Sequence, residues 1–333
     1  KNRRAIWELW RYGNIKADGR KDIQLAVIGY FYTGAGYQYV GMGRKVFDAY
    51  WSMRQFYDKA EKFFPDFKIN KLAFMGPEEE LLKEANGLII NFCYQCGLNE
   101  VLKQQKVNPE QAAGYKSGEI AALCMHGFME FDEALKLMRL REELVKNEIK
   151  TEYSQMLINS VKIENIKKIA AELSSALKTE ITSYNSDESA VLAFDSRAKE
   201  KITALFRQVG GTVIDLPGEE LTGIAALQPV ANRLKEQLKG IKNDKPIIRV
   251  IDQTTGAYYE STSEIREKFF DFLYKPSMTG EAAATMIKNG VNTFVEMGAG
   301  TFISRLIKKA DSGKRMLNTH DLNGLSVTIK LAN

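Results

Sequence analysis

The apolar positions along the chain change their period several times, and each change predicts an element. Ile23 to Tyr30 is a short apolar run that opens into Thr33-Gly34-Ala35-Gly36, the pattern of a buried strand entering a loop. Helical spacing follows over Gly43 to Phe64 and over Pro77 to Gln105, and Asn108-Pro109 then breaks the chain before a short strand and a turn at Gly114. Helical periodicity returns over Ser117 to Met125 and Phe131 to Ile149, with Asp132 placed early in the second helix, where a carboxylate suits the helix dipole. Strands alternating with helices in this way predict an α/β fold with a parallel sheet covered on both faces.

Between Thr151 and Pro217 the rhythm becomes strand (Tyr153 to Val161), helix (Glu164 to Leu177), two strands (Glu180 to Tyr184, Ala190 to Phe194), helix (Ser196 to Val209) and strand (Gly211 to Leu216). That order, β-α-β-β-α-β, predicts a ferredoxin-like small subdomain over 151–216. It would interrupt a large domain made of 23–150 and 217–333, with 1–22 as an N-terminal extension. The second part of the large domain reads as helix (Ile224 to Leu238), strand (Pro246 to Ile251), helices (Ser263 to Leu273, Gly280 to Asn289), strand (Thr293 to Glu296), and a helix opened by Gly298-Ala299-Gly300.

Composition narrows the class. The chain has 333 residues, 44% hydrophobic and 27% charged, enough for one large domain and a smaller insert. No stretch approaches the roughly 18 consecutive apolar residues of a membrane span, and Lys1 to Tyr12 lacks the apolar core of a signal peptide. No membrane association and a cytoplasmic location are therefore expected. The start at Lys1 rather than Met leads us to expect a natural N-terminus upstream. A net charge of +5, with no basic run interleaved with aromatics, argues against nucleic acid and suits a modestly acidic protein partner. The three cysteines point to a reducing compartment. Cys93 and Cys96 form a C-x-x-C within the apolar segment Leu88 to Leu102, and only Cys124 remains to complete a metal set, so they read as buried helix thiols and no metal is expected.

A strand, then Gly114-Tyr115-Lys116-Ser117-Gly118-Glu119, then a helix is the context of a nucleophile elbow. Further landmarks follow in order: Gly34-Ala35-Gly36-Tyr37-Gln38 before the elbow, then Arg141, the ferredoxin-like insert, Leu273-Tyr274-Lys275-Pro276 and Val295-Glu296-Met297-Gly298-Ala299-Gly300. From about Leu25 to Leu331 the chain resembles the malonyl-CoA:acyl-carrier-protein transacylases. The resemblance implies a hydrolase-like large domain with a parallel sheet flanked by helices, plus the inserted ferredoxin-like subdomain. It implies acyl transfer without a cofactor, with acyl-CoA or the phosphopantetheine of an acyl carrier protein as substrate. It also implies, as partner, an acyl carrier protein or another polyketide or fatty-acid synthase component.

The chain departs from that family at Ala35, where the family carries glutamine, at Leu88-Ile89, where it often has Gln-Pro, at Thr279, where it often has tryptophan or phenylalanine, and at its two catalytic positions. The family's elbow reads G-H-S-x-G-E, and its serine attacks the thioester; Lys116 stands there, with Ser117 beside it as a fallback nucleophile. The family's base is a histidine that follows a proline just after the insert; in Leu216-Pro217-Gly218-Glu219-Glu220, Glu219 falls at that position and Glu220 one residue off. The two histidines, His126 and His320, are not placed to replace it. By resemblance, the backbone N–H groups of Ala35 and Ser117 form the oxyanion hole. Arg141 would grip a malonyl carboxylate, or form a structural ion pair with Glu219 or Glu220. Lys116 and Glu219 are expected to pair and fill the catalytic gorge, the alternative being that both reach solvent. The leading expectation is a catalytically silent acyltransferase homologue that binds or scaffolds in polyketide or fatty-acid biosynthesis. The enzymatic alternative uses Lys116 or Ser117 as nucleophile and Glu219 as base. A third possibility is a structural partner of a true acyltransferase, presenting Tyr37, Tyr39, Tyr258 and Tyr259 at an interface.

Overall fold

The computed structural model describes residues 26–332 apart from Pro217 and Asn243. The expected extension 1–22, the first residues of the predicted Ile23 to Tyr30 strand, and Pro217 lie outside the described residues.

The first strand, β1 (Ile28–Tyr32), is buried along its whole length at the centre of a six-stranded sheet. It pairs in parallel with β2 (Gln111–Gly114) on one side and β9 (Thr293–Met297) on the other. Beyond them lie β7 (Arg249–Asp252) and β10 (Arg315–Asn318), also parallel, and the short β8 (Ala257–Tyr258) runs antiparallel to β7. A parallel strand covered on both faces reads as a continuous apolar run, which is why β1 shows no alternation. The period of two still operates inside it. Tyr30 and Tyr32 enter one core with Phe92, Ile120 and Leu135, whereas Phe31 enters the other with Ala282, Met286 and Ile303. The helix Glu84–Gln104 packs in the first core and is buried on nearly all sides. Cys93 and Cys96 are buried within it as free thiols, and burial raises the pKa of both.

A second sheet is antiparallel throughout, in the order β4-β5-β3-β6, where β3 is Tyr153–Asn159, β4 Glu180–Ser186, β5 Ser189–Asp195 and β6 Thr212–Asp215. The helices Ile163–Leu177 and Lys199–Gln208 share a separate core with this sheet, built on Met156, Ile158, Ile166, Phe194, Ile202 and Phe206. Alternation along β3 sends Met156 and Ile158 into that core and Gln155 to the opposite face, where its side chain reaches the large domain.

Four elements were not anticipated: the helices Ile69–Met75 and Leu322–Ala332, and the strands β8 and β10. The two strands have two and four residues, too short for periodicity to register. The predicted helix over Gly43 to Phe64 is two helices, Arg44–Ala49 and Trp51–Phe63, because Tyr50 between them is extended. Of the tyrosines expected at an interface, Tyr39 is exposed, but Tyr258 is buried and the Tyr259 hydroxyl donates to Glu119 Oε1 at 2.6 Å. Among the described residues, no helix is long and apolar enough to cross a membrane.

Candidate active site

The turn between β2 and the helix Gly118–Met125 carries the predicted elbow. Lys116 at its tip has φ 53°, the left-handed region that costs a non-glycine residue of the order of 1–3 kcal/mol. Gln253, just beyond β7, holds it there. Its Oε1 accepts from the Lys116 N–H at 2.6 Å, and its Nε2 donates to the Lys116 carbonyl at 2.7 Å and to Glu119 Oε2 at 2.5 Å. Burial pushes the Glu119 carboxyl well above the usual carboxylate range, and the nearby Asp252 adds to the shift. The turn also lies against the end of β1, for a methyl group at Gly118 would come within 2.2 Å of the Tyr32 carbonyl oxygen. Only glycine allows that approach, and the approach brings the Thr33–Gly36 loop beside the elbow.

The Lys116 side chain is fully buried and turns inward. Its Nζ lies 2.6 Å from Glu219 Oε1, and it donates to Gln155 Oε1 at 2.9 Å and to the Glu220 carbonyl at 3.1 Å. The ammonium thus makes two hydrogen bonds and one close ion pair. The Tyr115 hydroxyl donates to the same Glu219 oxygen at 2.7 Å, and burial, reinforced by Glu219, raises its pKa far above the ordinary phenol value. Gln155 Nε2 also donates to the carbonyls of Glu219 (2.8 Å) and Glu220 (3.0 Å), so the small sheet pins the strap of chain that carries both glutamates. Gly36, at φ 123°, packs directly under the strap, with a methyl there falling 2.8 Å from Glu219 Cα.

Glu220 points the other way. Its Oε2 accepts from the Ala35 N–H at 3.2 Å and from the Ser117 hydroxyl, and its Oε1 accepts from the Ser117 N–H at 3.0 Å. The two backbone donors assigned by resemblance to the oxyanion hole therefore hold a carboxylate of the chain itself. It lies at the N-terminus of the helix Gly118–Met125, where the helix dipole favours negative charge. Arg141, fully buried, donates from Nη2 to the Leu221 carbonyl at 3.3 Å and so meets the same strap.

The structure thus gathers Lys116, Glu219, Ser117 and Ala35 at one place, with Arg141 against the adjoining backbone. It keeps the histidines out. His126 faces the Tyr32 hydroxyl at 3.1 Å in the core, and burial, with Lys103 second, lowers its pKa to about 4; His320 lies beside Asn318 and Asp321. Sequence reasoning missed the placement of Glu220 in the donor pair and the clamping roles of Gln155 and Gln253. Neither glutamine belongs to a motif, and the only signal for Glu220 was its adjacency to Glu219. Chemically, a thioester carbonyl has to displace Glu220 before it can reach the N–H donors.

The family model described as acyl transferase domain matches residues 29–321. The malonyl CoA-acyl carrier protein transacylase of Bacillus subtilis (strain 168) is 23% identical over 309 residues, 92% of this chain and 97% of that protein. The protein of the same description from Escherichia coli (strain K12) is 24% identical over 283 residues, 84% and 91% of the two chains. Among solved structures, the malonyl CoA-acyl carrier protein transacylase of Clostridium perfringens superposes with a TM-score of 0.83 at 26% identity, over 92% of this chain and 96% of that one. A malonyl-transacylase solved in complex with its type II PKS acyl-carrier protein has a TM-score of 0.85 at 22% identity, over 91% of this chain and 99% of that one.

Proposed function

The chain belongs to the acyl transferase domain family, and from that premise we propose that it is a catalytically silent member, a binding or scaffold component of polyketide or fatty-acid biosynthesis that contacts an acyl carrier protein. The observation that carries this reading is the double occupancy of the site. Lys116 stands at the elbow tip with its ammonium paired to Glu219 and hydrogen-bonded to Gln155 and to the Glu220 carbonyl, and the Glu220 carboxylate fills the N–H pair that would stabilise a tetrahedral oxyanion. A lysine so held has no lone pair with which to attack, and an amide formed on it would not turn over. The carrier-protein partner is supported by the relatives' names and by the transacylase solved with its carrier protein. The net charge of +5 suits an acidic partner. In this reading residues 151–216 are the inserted small subdomain, which lends Gln155 to the site, and any acyl group presented to the protein arrives on CoA or on phosphopantetheine.

One contact favours a second reading, an active acyltransferase or acyl hydrolase. The Ser117 hydroxyl donates to a Glu220 carboxylate oxygen, the relation a serine nucleophile needs to a general base. Arg141 would then grip the malonyl carboxylate. The same carboxylate nonetheless engages both backbone donors, so base and oxyanion hole are not available together. The test is intact-mass analysis after incubation with malonyl-CoA and acetyl-CoA, followed by addition of a holo acyl carrier protein. We expect no adduct and no transfer beside an active control enzyme. An adduct that moves to the carrier, and that is lost in Ser117→Ala, would overturn the silent reading in favour of the second.

A further inference from the structure

Lys116 and Glu219 meet inside the protein, with both side chains closed to solvent and Nζ 2.6 Å from Oε1. The other carboxylate oxygen, Oε2, is buried with no hydrogen-bond partner among the described residues. We propose that this pair is a modification site, at which the two side chains condense to an amide, an isopeptide bond between Lys116 Nζ and Glu219 Cδ that ties the elbow to the strap. The inference goes beyond the silent reading, which needs the ion pair alone.

In water an amine and a carboxylic acid stay apart as hydrated ions at neutral pH. The interior removes that preference. Both charges have given up their hydration, and Oε2 has gained no partner in exchange, so conversion to a neutral amide relieves the cost of keeping two buried ions. The fold also holds the reacting groups in contact, which stands in for a very high concentration. Gln155 Oε1 and the Glu220 carbonyl accept from Nζ at 2.9 and 3.1 Å and fix the nitrogen, while Gln155 Nε2 pins the strap that carries the carboxyl group.

While Nζ keeps all its protons it has no lone pair, and the carboxylate beside it is the group placed to take one. That transfer gives a neutral amine and a carboxylic acid. The Nζ lone pair then attacks Cδ, the Cδ–Oε1 bond breaks, and Oε1 leaves as water, carrying two protons that began on Nζ. The Tyr115 hydroxyl, which donates to Oε1 at 2.7 Å, gives a proton to the departing oxygen and recovers one from the nitrogen. Oε2 stays as the amide oxygen, and the remaining N–H keeps Gln155 Oε1 or the Glu220 carbonyl as its acceptor. No oxidant or further reactant takes part.

The experiment is intact-mass measurement on the full wild-type chain, kept folded for days and unfolded in denaturant just before analysis. The expected mass is one water, about 18 Da, below that of the sequence. Trypsin should then fail to cut after Lys116, and residues 107–136 should be recovered joined to residues 208–233. Lys116→Arg keeps the positive charge but has no amine to form the bond, and should show the full mass. Full mass with free cleavage after Lys116 in wild type would overturn the proposal, as would a water loss that maps to another residue or persists in Lys116→Arg. None of these results touches the silent function, whose failure reads instead as a gain of mass on incubation with acyl-CoA.

Discussion

Lys116 Nζ and Glu219 Oε1 lie 2.6 Å apart with both side chains closed to solvent. Removing one member leaves the other charge buried without its opposite, which costs about 3–5 kcal/mol in pairs of this kind, whereas replacing both by uncharged groups of similar volume costs far less. Lys116→Met and Glu219→Gln should each destabilise the chain by about that amount, and the double variant by at least about 2 kcal/mol less than their sum. Urea unfolding of the four proteins reads the coupling. Strict additivity would mean that the pair does not act as a unit.

Restoring the two residues that the resemblance calls for should not by itself restore chemistry. In Lys116→Ser with Glu219→His, Glu220 still engages the Ala35 and Ser117 donors. We expect malonyl adduct to form at least about 10²-fold faster when Glu220→Ala is added, since even one oxyanion donor is worth about that factor. Equal adduct formation in the double and triple variants, followed by intact mass, would mean that Glu220 yields its place to substrate without resistance.

The elbow depends on how closely Gly118 approaches β1. Gly118→Ala places a methyl 2.2 Å from the Tyr32 carbonyl oxygen and should cost at least about 2 kcal/mol by overpacking. Gly240→Ala is the control, because its nearest neighbour, the Gln237 carbonyl oxygen, stands at 3.6 Å, an ordinary contact. That change should stay within about 0.5 kcal/mol. Chemical denaturation of both variants compares them directly.

His126 should shape the acid limb of stability. Its pKa is lowered from the ordinary 6.5 to about 4, chiefly by burial. Between those values the unfolded chain holds a proton that the folded chain does not, so stability rises with pH across the window. The contribution is complete above about pH 6.5 and is lost as the pH falls towards 4, to a total on the order of 3 kcal/mol. His126→Gln should flatten the pH dependence of stability in that window, measured by urea unfolding at closely spaced pH values. An unchanged slope would assign the acid sensitivity to the carboxylates.

Much of the architecture was legible along the chain. The helices over 84–104, 118–125 and 131–148 and the β-α-β-β-α-β unit announce themselves because a buried element must repeat its apolar positions at its own period. Strands of two and four residues such as β8 and β10 carry no repeat to read. In the site, the Lys116–Glu219 pair was legible because the chain departs from its family at two positions that must meet for catalysis. The position of Glu220 was not. It follows Glu219 directly, and nothing in the two letters says which carboxylate turns to the ammonium and which to the N–H donors.

By itself, then, the sequence determined the order and kind of elements, the family, and the charges brought to the elbow, all of which follow from local periodicity and from motif spacing. Only the tertiary structure decided where those charges point. Gln155 reaches Lys116 because alternation along β3 turns it away from the small core, and Glu220 reaches Ala35 and Ser117 because Gly36 lets the strap lie against the loop after β1. Those directions depend on how surfaces far apart in the chain pack against one another, and packing between distant segments leaves no periodic trace in the order of residues.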